Sequence, residues 1–239
     1  MTSIKSMITG YVISELKTSD GKALMRIAKP FDSLLGNFIV MLETLFKGID
    51  TKFPPPSPSK IVDTSGNYVN LTFPTPLNAY GIPLGWRVDA ESGDILLRRN
   101  EPTDWGIMVG SDDSPTTISF WRLVSPYPHG KDAGYMNYLG STVSEPEFDG
   151  TSVKFTIQRL IVNEADVSQV VKEVGLIARE YNTWTRFLIA RDVLPAPITM
   201  PPKSLLEVTI VLEGLLAPYQ IYYRKDYGIG NESSRRSIV

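Results

Sequence analysis

Apolar and polar residues alternate with a period of two through much of the second half of the chain. Val153, Phe155, Ile157 and Ile161 share one parity against Lys154, Thr156 and Gln158. Leu206, Val208, Ile210 and Leu212 stand opposite Glu207, Thr209 and Glu213 in the same way. Val170, Val174, Leu176 and Ala178 form a third set, and Phe187, Ile189 and Val193 a fourth. Successive side chains of a strand point to opposite faces, so the pattern predicts strands with one face buried. Residues 180–183 make a short connection, which predicts antiparallel pairing of the strands around it. Near the start of the chain, residues 11–16 and 22–27 flank Ser19-Asp20-Gly21. An Asp-Gly step supplies the positive φ angles of a tight turn, so a hairpin is predicted there. Between these regions the spacing turns helical, through Leu34, Leu35, Phe38, Ile39, Leu42, Leu45 and Phe46. Asp32 or Ser33 can cap that helix and Gly48 can end it.

Punctuation divides the chain into segments. Residues 1–52 hold the hairpin and helix. Residues 53–104 begin with a stiff proline-rich connector and continue through short strands turned at 63–66 and 91–94. Residues 105–225 carry the regular alternation, and 226–239 form a tail. Several short strands separated by turn signals predict a mostly β protein, an antiparallel sandwich of the jelly-roll type, with the N-terminal hairpin and one helix added. The helix has a wide apolar stripe. Packing on its own domain is the expected use, and a subunit contact through Leu34, Phe38, Leu42 and Phe46 is the alternative.

Composition narrows the chemistry. The chain has no cysteine and one histidine, which excludes disulfides, thiolate chemistry and multi-histidine metal sites. His129 sits in a turn-like Pro-Tyr-Pro-His-Gly stretch with no nucleophile elbow, so a structural loop role is expected. Gly106 and Gly110 are wrongly spaced to cradle phosphate. Asp112-Asp113 lacks the spacing of a calcium loop and reads as a hydrophilic turn. Lys and Arg total 24 against 26 Asp and Glu, so no basic footprint for nucleic acid is visible. No run of about 18 apolar residues marks a membrane span. The first ten residues lack the apolar run of a secretory leader, and synthesis in a cytoplasm is expected. The chain is expected to be no enzyme and to need no cofactor or metal.

One charge cluster stands out. Arg159 shares the parity of Phe155 and Ile157, and Arg191 that of Phe187 and Ile189. Both are thus expected to lean toward an apolar face, where a lone charge is costly. Glu173 and Asp192 lie on neighbouring predicted strands and are their natural partners. An internal ion-pair network that fixes strand register is expected; a ligand-binding charge cluster is the alternative.

An ordered set of short motifs then carries a resemblance. It runs from Gly106-Ile107-Met108-Val109-Gly110 through Arg159 and Asn163 to Glu173-Val174-Gly175-Leu176 and Arg191-Asp192-Val193-Leu194. Pro197-Ile198-Thr199 and Leu206-Glu207-Val208-Thr209 follow. In order and spacing this resembles minor virion proteins of tailed phages and related prokaryotic viruses. Members of that group usually carry a glycine near Lys203 and a longer polar stretch near Asn163. The resemblance implies a structural role in tail, baseplate, collar or capsid, with partners that are copies of the chain and other virion proteins. The competing expectation is a carbohydrate- or receptor-binding module that meets a host-surface glycan through aromatics such as Trp121, Trp184, Tyr219 and Tyr222. A glycan hydrolase, which needs two close carboxylates, is the third. Ile238 and Val239 are candidate anchors of an assembly arm, with Arg235 and Arg236 beside them.

Overall fold

The computed structural model describes residues 8–31, 34–47, 59–71, 86–88, 95–97, 105–179 and 185–215. In chain order the elements are β1 (Ile8–Lys17), β2 (Ala23–Pro30), α1 (Gly36–Lys47), β3 (Ser59–Val62), β4 (Tyr68–Leu71), β5 (Trp86–Val88) and β6 (Ile95–Leu97). They continue with β7 (Gly106–Gly110), β8 (Asn137–Val143), β9 (Glu147–Phe148), β10 (Ser152–Val162), β11 (Gln169–Arg179), β12 (Arg186–Met200) and β13 (Leu205–Leu215). The protein is mostly β with one short helix, and every pairing between named strands is antiparallel.

The larger sheet runs β2-β1-β13-β10-β8, with β9 alongside β10. The smaller runs β12-β11-β7, and β3-β4 and β5-β6 are separate pairs. The hairpin forms where predicted, through a five-residue connection (18–22) in which Gly21 but not Asp20 has a positive φ. Gly21 takes φ 86°, and Thr18 and Lys22 close the turn through the Thr18 N–H to Lys22 carbonyl bond of 2.9 Å. Segments that the sequence separates share one sheet, because β1 lies between β2 and β13. Inward residues of both sheets join one core, with Val12, Ile157, Ile161, Val208 and Ile210 from the larger and Ile107, Val109, Val174, Leu176 and Phe187 from the smaller. β13 keeps a clean alternation, with Leu206, Val208, Ile210 and Leu212 buried.

β11 and β12 depart from the predicted one-sided burial. Residues 173–178 and 187–192 are buried on both faces. The reason is a second apolar cluster on the far side of the smaller sheet, where Ile177 and Leu188 meet Leu35 and Leu123. Residues from the segment 111–126 supply that cover.

The helix begins later than its apolar spacing predicts. Leu34 forms a β-bridge with Ala190, and the Leu35 N–H donates to the Ile189 carbonyl at 2.9 Å. Those bonds hold the two leucines extended, and the helix opens at Gly36. Phe38 and Met41 then pack into the chain's own core, and Leu34 lies half-buried against it. Asn37, which the sequence reading did not single out, donates to the carbonyls of Val62 (2.9 Å) and Leu188 (3.1 Å) and so ties α1 to β3 and β12. The expected caps Asp32, Ser33 and Gly48 lie outside the described residues, as do the side chains of Leu42 and Phe46 and the whole of the tail with Ile238 and Val239.

The β12–β13 turn holds Lys203 at φ 60°, a left-handed conformation that a side chain disfavours. Its N–H donates to the Asn163 carbonyl at 2.8 Å. The Asn163 amide in turn donates to Val167, Met200 and Pro201 carbonyls. This is the position near which the resembled group carries glycine. Lys203→Gly is expected to leave stability unchanged or raise it by up to about 1 kcal/mol, and Lys203→Val to lower it by about 1–2 kcal/mol. Urea unfolding of the three proteins checks this, and equal midpoints would count against a strained turn.

Candidate functional site

The most elaborate polar arrangement lies on the outer face of the smaller sheet, beneath residues 111–126. Its position follows from a bulge. β11 and β12 shift register between Leu176 and Ile177, so Ala190 opposes Leu176 while Leu188 opposes Ile177. Ile189 is the extra residue. It reverses the parity of β12, and Arg191 falls opposite Gly175 on the outer face, away from the face that Phe187 shares with Ala178. The expectation that Arg191 would lean toward the same face as Phe187 is therefore corrected.

Arg191 and Glu173 are both 0% exposed, and the Arg191 Nε donates to Glu173 Oε2 at 2.7 Å. Both terminal nitrogens of the guanidinium have partners as well. Nη1 donates to the Ser114 carbonyl (2.9 Å) and Thr116 Oγ1 (3.0 Å), and Nη2 to Asp112 Oδ1 (3.3 Å). The Phe120 ring lies 4.7 Å from the guanidinium carbon. Glu173 accepts from the backbone N–H of Ser125 (2.8 Å) and Val124 (3.2 Å). One buried pair thus grips both ends of the covering segment.

Two glycines make room for it, and a third makes room for Ser141 of β8. A Cβ on Gly110 would overlap Glu173 Oε1 and come within 2.5 Å of the Ser125 carbonyl. A Cβ on Gly175 would lie 2.7 Å from Leu123 and 2.8 Å from Leu188. Gly106 has φ 91° and would overlap Ser141 Oγ. Gly110 is therefore required by the Ser125 backbone and Gly106 by its positive φ, whereas a side chain at Gly175 would have to displace the ends of Leu123 and Leu188.

The other predicted charges lie elsewhere. Asp192 turns to the opposite face from Arg191 and pairs with Lys29 of β2, whose Nζ also donates to the Val193 carbonyl at 3.2 Å. Arg159 is buried, 3% exposed. Its Nε donates to the Leu139 carbonyl (2.8 Å) and its Nη1 to those of Ile107 (2.9 Å) and Trp105 (3.2 Å). Burial pulls this guanidinium down to about 10, which leaves it cationic at neutral pH. Tyr138 stacks beneath it, 5.1 Å from ring centre to guanidinium carbon, and burial pushes its phenol well above the usual range. The network thus divides into three parts: Glu173 meets Arg191, Lys29 meets Asp192, and Arg159 binds carbonyls of both sheets. Sequence reasoning did not anticipate Lys29, whose only signal was an odd lysine in an edge strand.

The acidic turn at 112–113 makes its own contacts. Asp112 accepts from the Ser114 N–H at 2.8 Å, and Asp113 pairs with Lys172 at 2.9 Å. Hydrogen bonding to Ser114, with Arg191 nearby, holds Asp112 below the usual carboxylate range, and Lys172 does the same for Asp113. His129 Nδ1 accepts from the Tyr138 N–H at 3.2 Å. Among the described residues no group of three or more His, Asp or Glu could hold a metal ion. No helix among them is long and apolar enough to cross a membrane. Compared with known proteins, no family model, no curated protein and no solved structure matches the chain.

Two outcomes follow from this geometry. Glu173→Ala strands the Arg191 charge and frees the Val124 and Ser125 amides, so a loss of about 3–5 kcal/mol is expected. Gly110→Ala is expected to cost about 1–3 kcal/mol through overpacking at the same spot. Denaturant unfolding measures both, and parental stability in Glu173→Ala would contradict the staple. The second concerns acid. Asp112, Asp113 and Asp149 all have carboxyls held below their ordinary 3.8 by hydrogen bonds or cations. A carboxyl with a depressed folded pKa adds stability above its unfolded value and loses it as pH falls further. The melting temperature should therefore drop as pH is lowered from 3.8, and Asp149→Asn should flatten that drop. A melting temperature constant down to about pH 2 would count against it.

Proposed function

We propose that the chain is a structural subunit of a tailed prokaryotic virus particle, acting by association with copies of itself and with other virion proteins. The observation that carries this reading is the meeting of its motif residues at one seam. Gly110, Glu173, Gly175 and Arg191, drawn from three motifs of the resemblance, lie within one interlocked arrangement of the smaller sheet and its cover. Shared motifs in an enzyme family gather around reacting atoms. Here both Glu173 oxygens accept N–H bonds, and each nitrogen of the Arg191 guanidinium donates a hydrogen bond. Placed there, these residues favour rigidity, which suits a structural subunit. We read the chain as no enzyme, made in the host cytoplasm and carried in the particle.

We also propose that the two principal sheets form a β-sandwich. The merged core supports this, as do the passages from one sheet to the other between β7 and β8, β10 and β11, and β12 and β13. A jelly roll has eight strands in two Greek keys, whereas the smaller sheet has three among the described residues. We therefore carry the sandwich forward without that finer connectivity.

Mass spectrometry of purified particles from a virus encoding this chain is the direct test. Stoichiometric recovery of the chain, retained through high-salt washing, is expected. Absence from particles together with selective binding on a glycan array would replace the reading with a surface-recognition module.

A further inference from the structure

The larger sheet ends in two edges of opposite charge. At one end, residues 22–30 contain Lys22, Arg26 and Lys29 and no acidic residue. Among the described residues no strand pairs with the outer side of β2. The Phe31 N–H donates to the Gly10 carbonyl, which fixes the phase of the β1–β2 ladder. Arg26 and Ala28 consequently turn N–H and C=O away from β1, and Pro30 turns only its C=O. Lys29 is held by Asp192, so Lys22 and Arg26 are the cations this edge presents. Leu24 beside them is 50% exposed.

At the other end, β8 and β9 follow one another along β10. Residues 137–149 contain Glu145, Glu147 and Asp149 and no Lys or Arg. The bonds from Ser144 N–H to the Thr156 carbonyl and from Asp149 N–H to the Ser152 carbonyl fix the phase here. Val143 and Phe148 accordingly turn their backbone groups away from β10. Phe148 is 67% exposed. Asp149 holds its own turn, Glu147 is partly screened by Lys154 at 3.0 Å, and Glu145 is exposed.

An unpaired edge is a template for another strand, and like charges on an edge prevent it from pairing with its own kind. The basic β2 edge therefore disfavours a second β2, and the acidic edge a second copy of itself. Each suits the other. We propose that copies of this chain associate head to tail, the β2 edge of one meeting the β8–β9 edge of the next, with Lys22 and Arg26 facing Glu145 and Glu147. Leu24 and Phe148 add apolar area at the same seam. A contact of this kind is heterologous, and it closes into a ring or runs on as a filament according to the rotation between copies. The inference rests on the assembly reading above and names its surface.

Charge reversal tests it with the full chain, read by sedimentation at low and high salt. One variant carries Lys22→Glu and Arg26→Glu, the other Glu145→Lys and Glu147→Lys. The parent should associate with increasing concentration, and salt should weaken this. Each variant alone should associate about tenfold or more weakly, since both of its edges then carry one sign. An equimolar mixture should recover association, because every contact in an alternating chain is again between opposite charges. Circular dichroism melting of each variant checks that the fold persists, and recovery in the mixture itself requires folded partners. A parent that stays monomeric at low salt, variants that associate as the parent does, or a mixture that fails to recover would each overturn the proposal. If the chain is nevertheless found in purified particles, the virion reading stands and only this surface is wrong.

Discussion

Everything on the outer side of the smaller sheet depends on one buried contact, the ion pair between Glu173 and Arg191. Removing two charges from water costs several kcal/mol per ion, and their mutual attraction offsets that only when the remaining hydrogen-bonding capacity is also filled. Here it is filled by backbone from the covering segment, through Val124, Ser125 and Ser114. The dependence runs both ways. Without the segment the pair would be half-solvated and the sheet would expose Ile177 and Leu188; without the pair the segment would have little to fix its path. Because the segment itself fills those positions, the pair ties residues 112–125 to the sheet at both ends.

Arg159 and Lys29 perform a related task between the sheets. Arg159 extends from β10 to carbonyls at Trp105 and Ile107, and Lys29 extends from β2 to Asp192 on β12. Apolar packing between two sheets is non-directional and would tolerate sliding. Directed bonds at two separate points remove that freedom. The core supplies cohesion and the cations supply alignment.

The sequence was informative where periodicity was undisturbed. β13 follows its pattern residue by residue, the N-terminal hairpin forms where its turn signal stands, and the antiparallel pairing of β11 with β12 was legible from their short connection. What could not be read was a change of phase. The extra residue Ile189 reverses the faces of β12, and a second irregularity lets β12 pass from Val193 to Ile198 while β11 moves only from Glu173 to Val171. Pro195 and Pro197 fall inside that second irregularity, where missing N–H donors do no harm to the ladder. Prolines hinted at the second bulge; nothing in the local sequence announced the first. The pairing of Glu173 with Arg191 was anticipated, but the face on which it occurs was not. Likewise the helical spacing of Leu34 and Leu35 was real, yet two hydrogen-bonding positions on β12 took those residues into extended structure.

β1 and β13, the first and last described strands, are neighbours paired along their whole length. This has a consequence for how the protein comes into being. A ribosome releases β1 and β2 long before β13 exists, and the hairpin alone is too small to be stable in water. The larger sheet can therefore not close until nearly the whole described chain has emerged, and closing it requires bringing together strands of high sequence separation. Chains with such non-local pairing fold slowly. During synthesis the nascent hairpin would present an unfinished edge where β13 later inserts, so crowded translation of many copies favours exchange of the final strand between neighbouring chains.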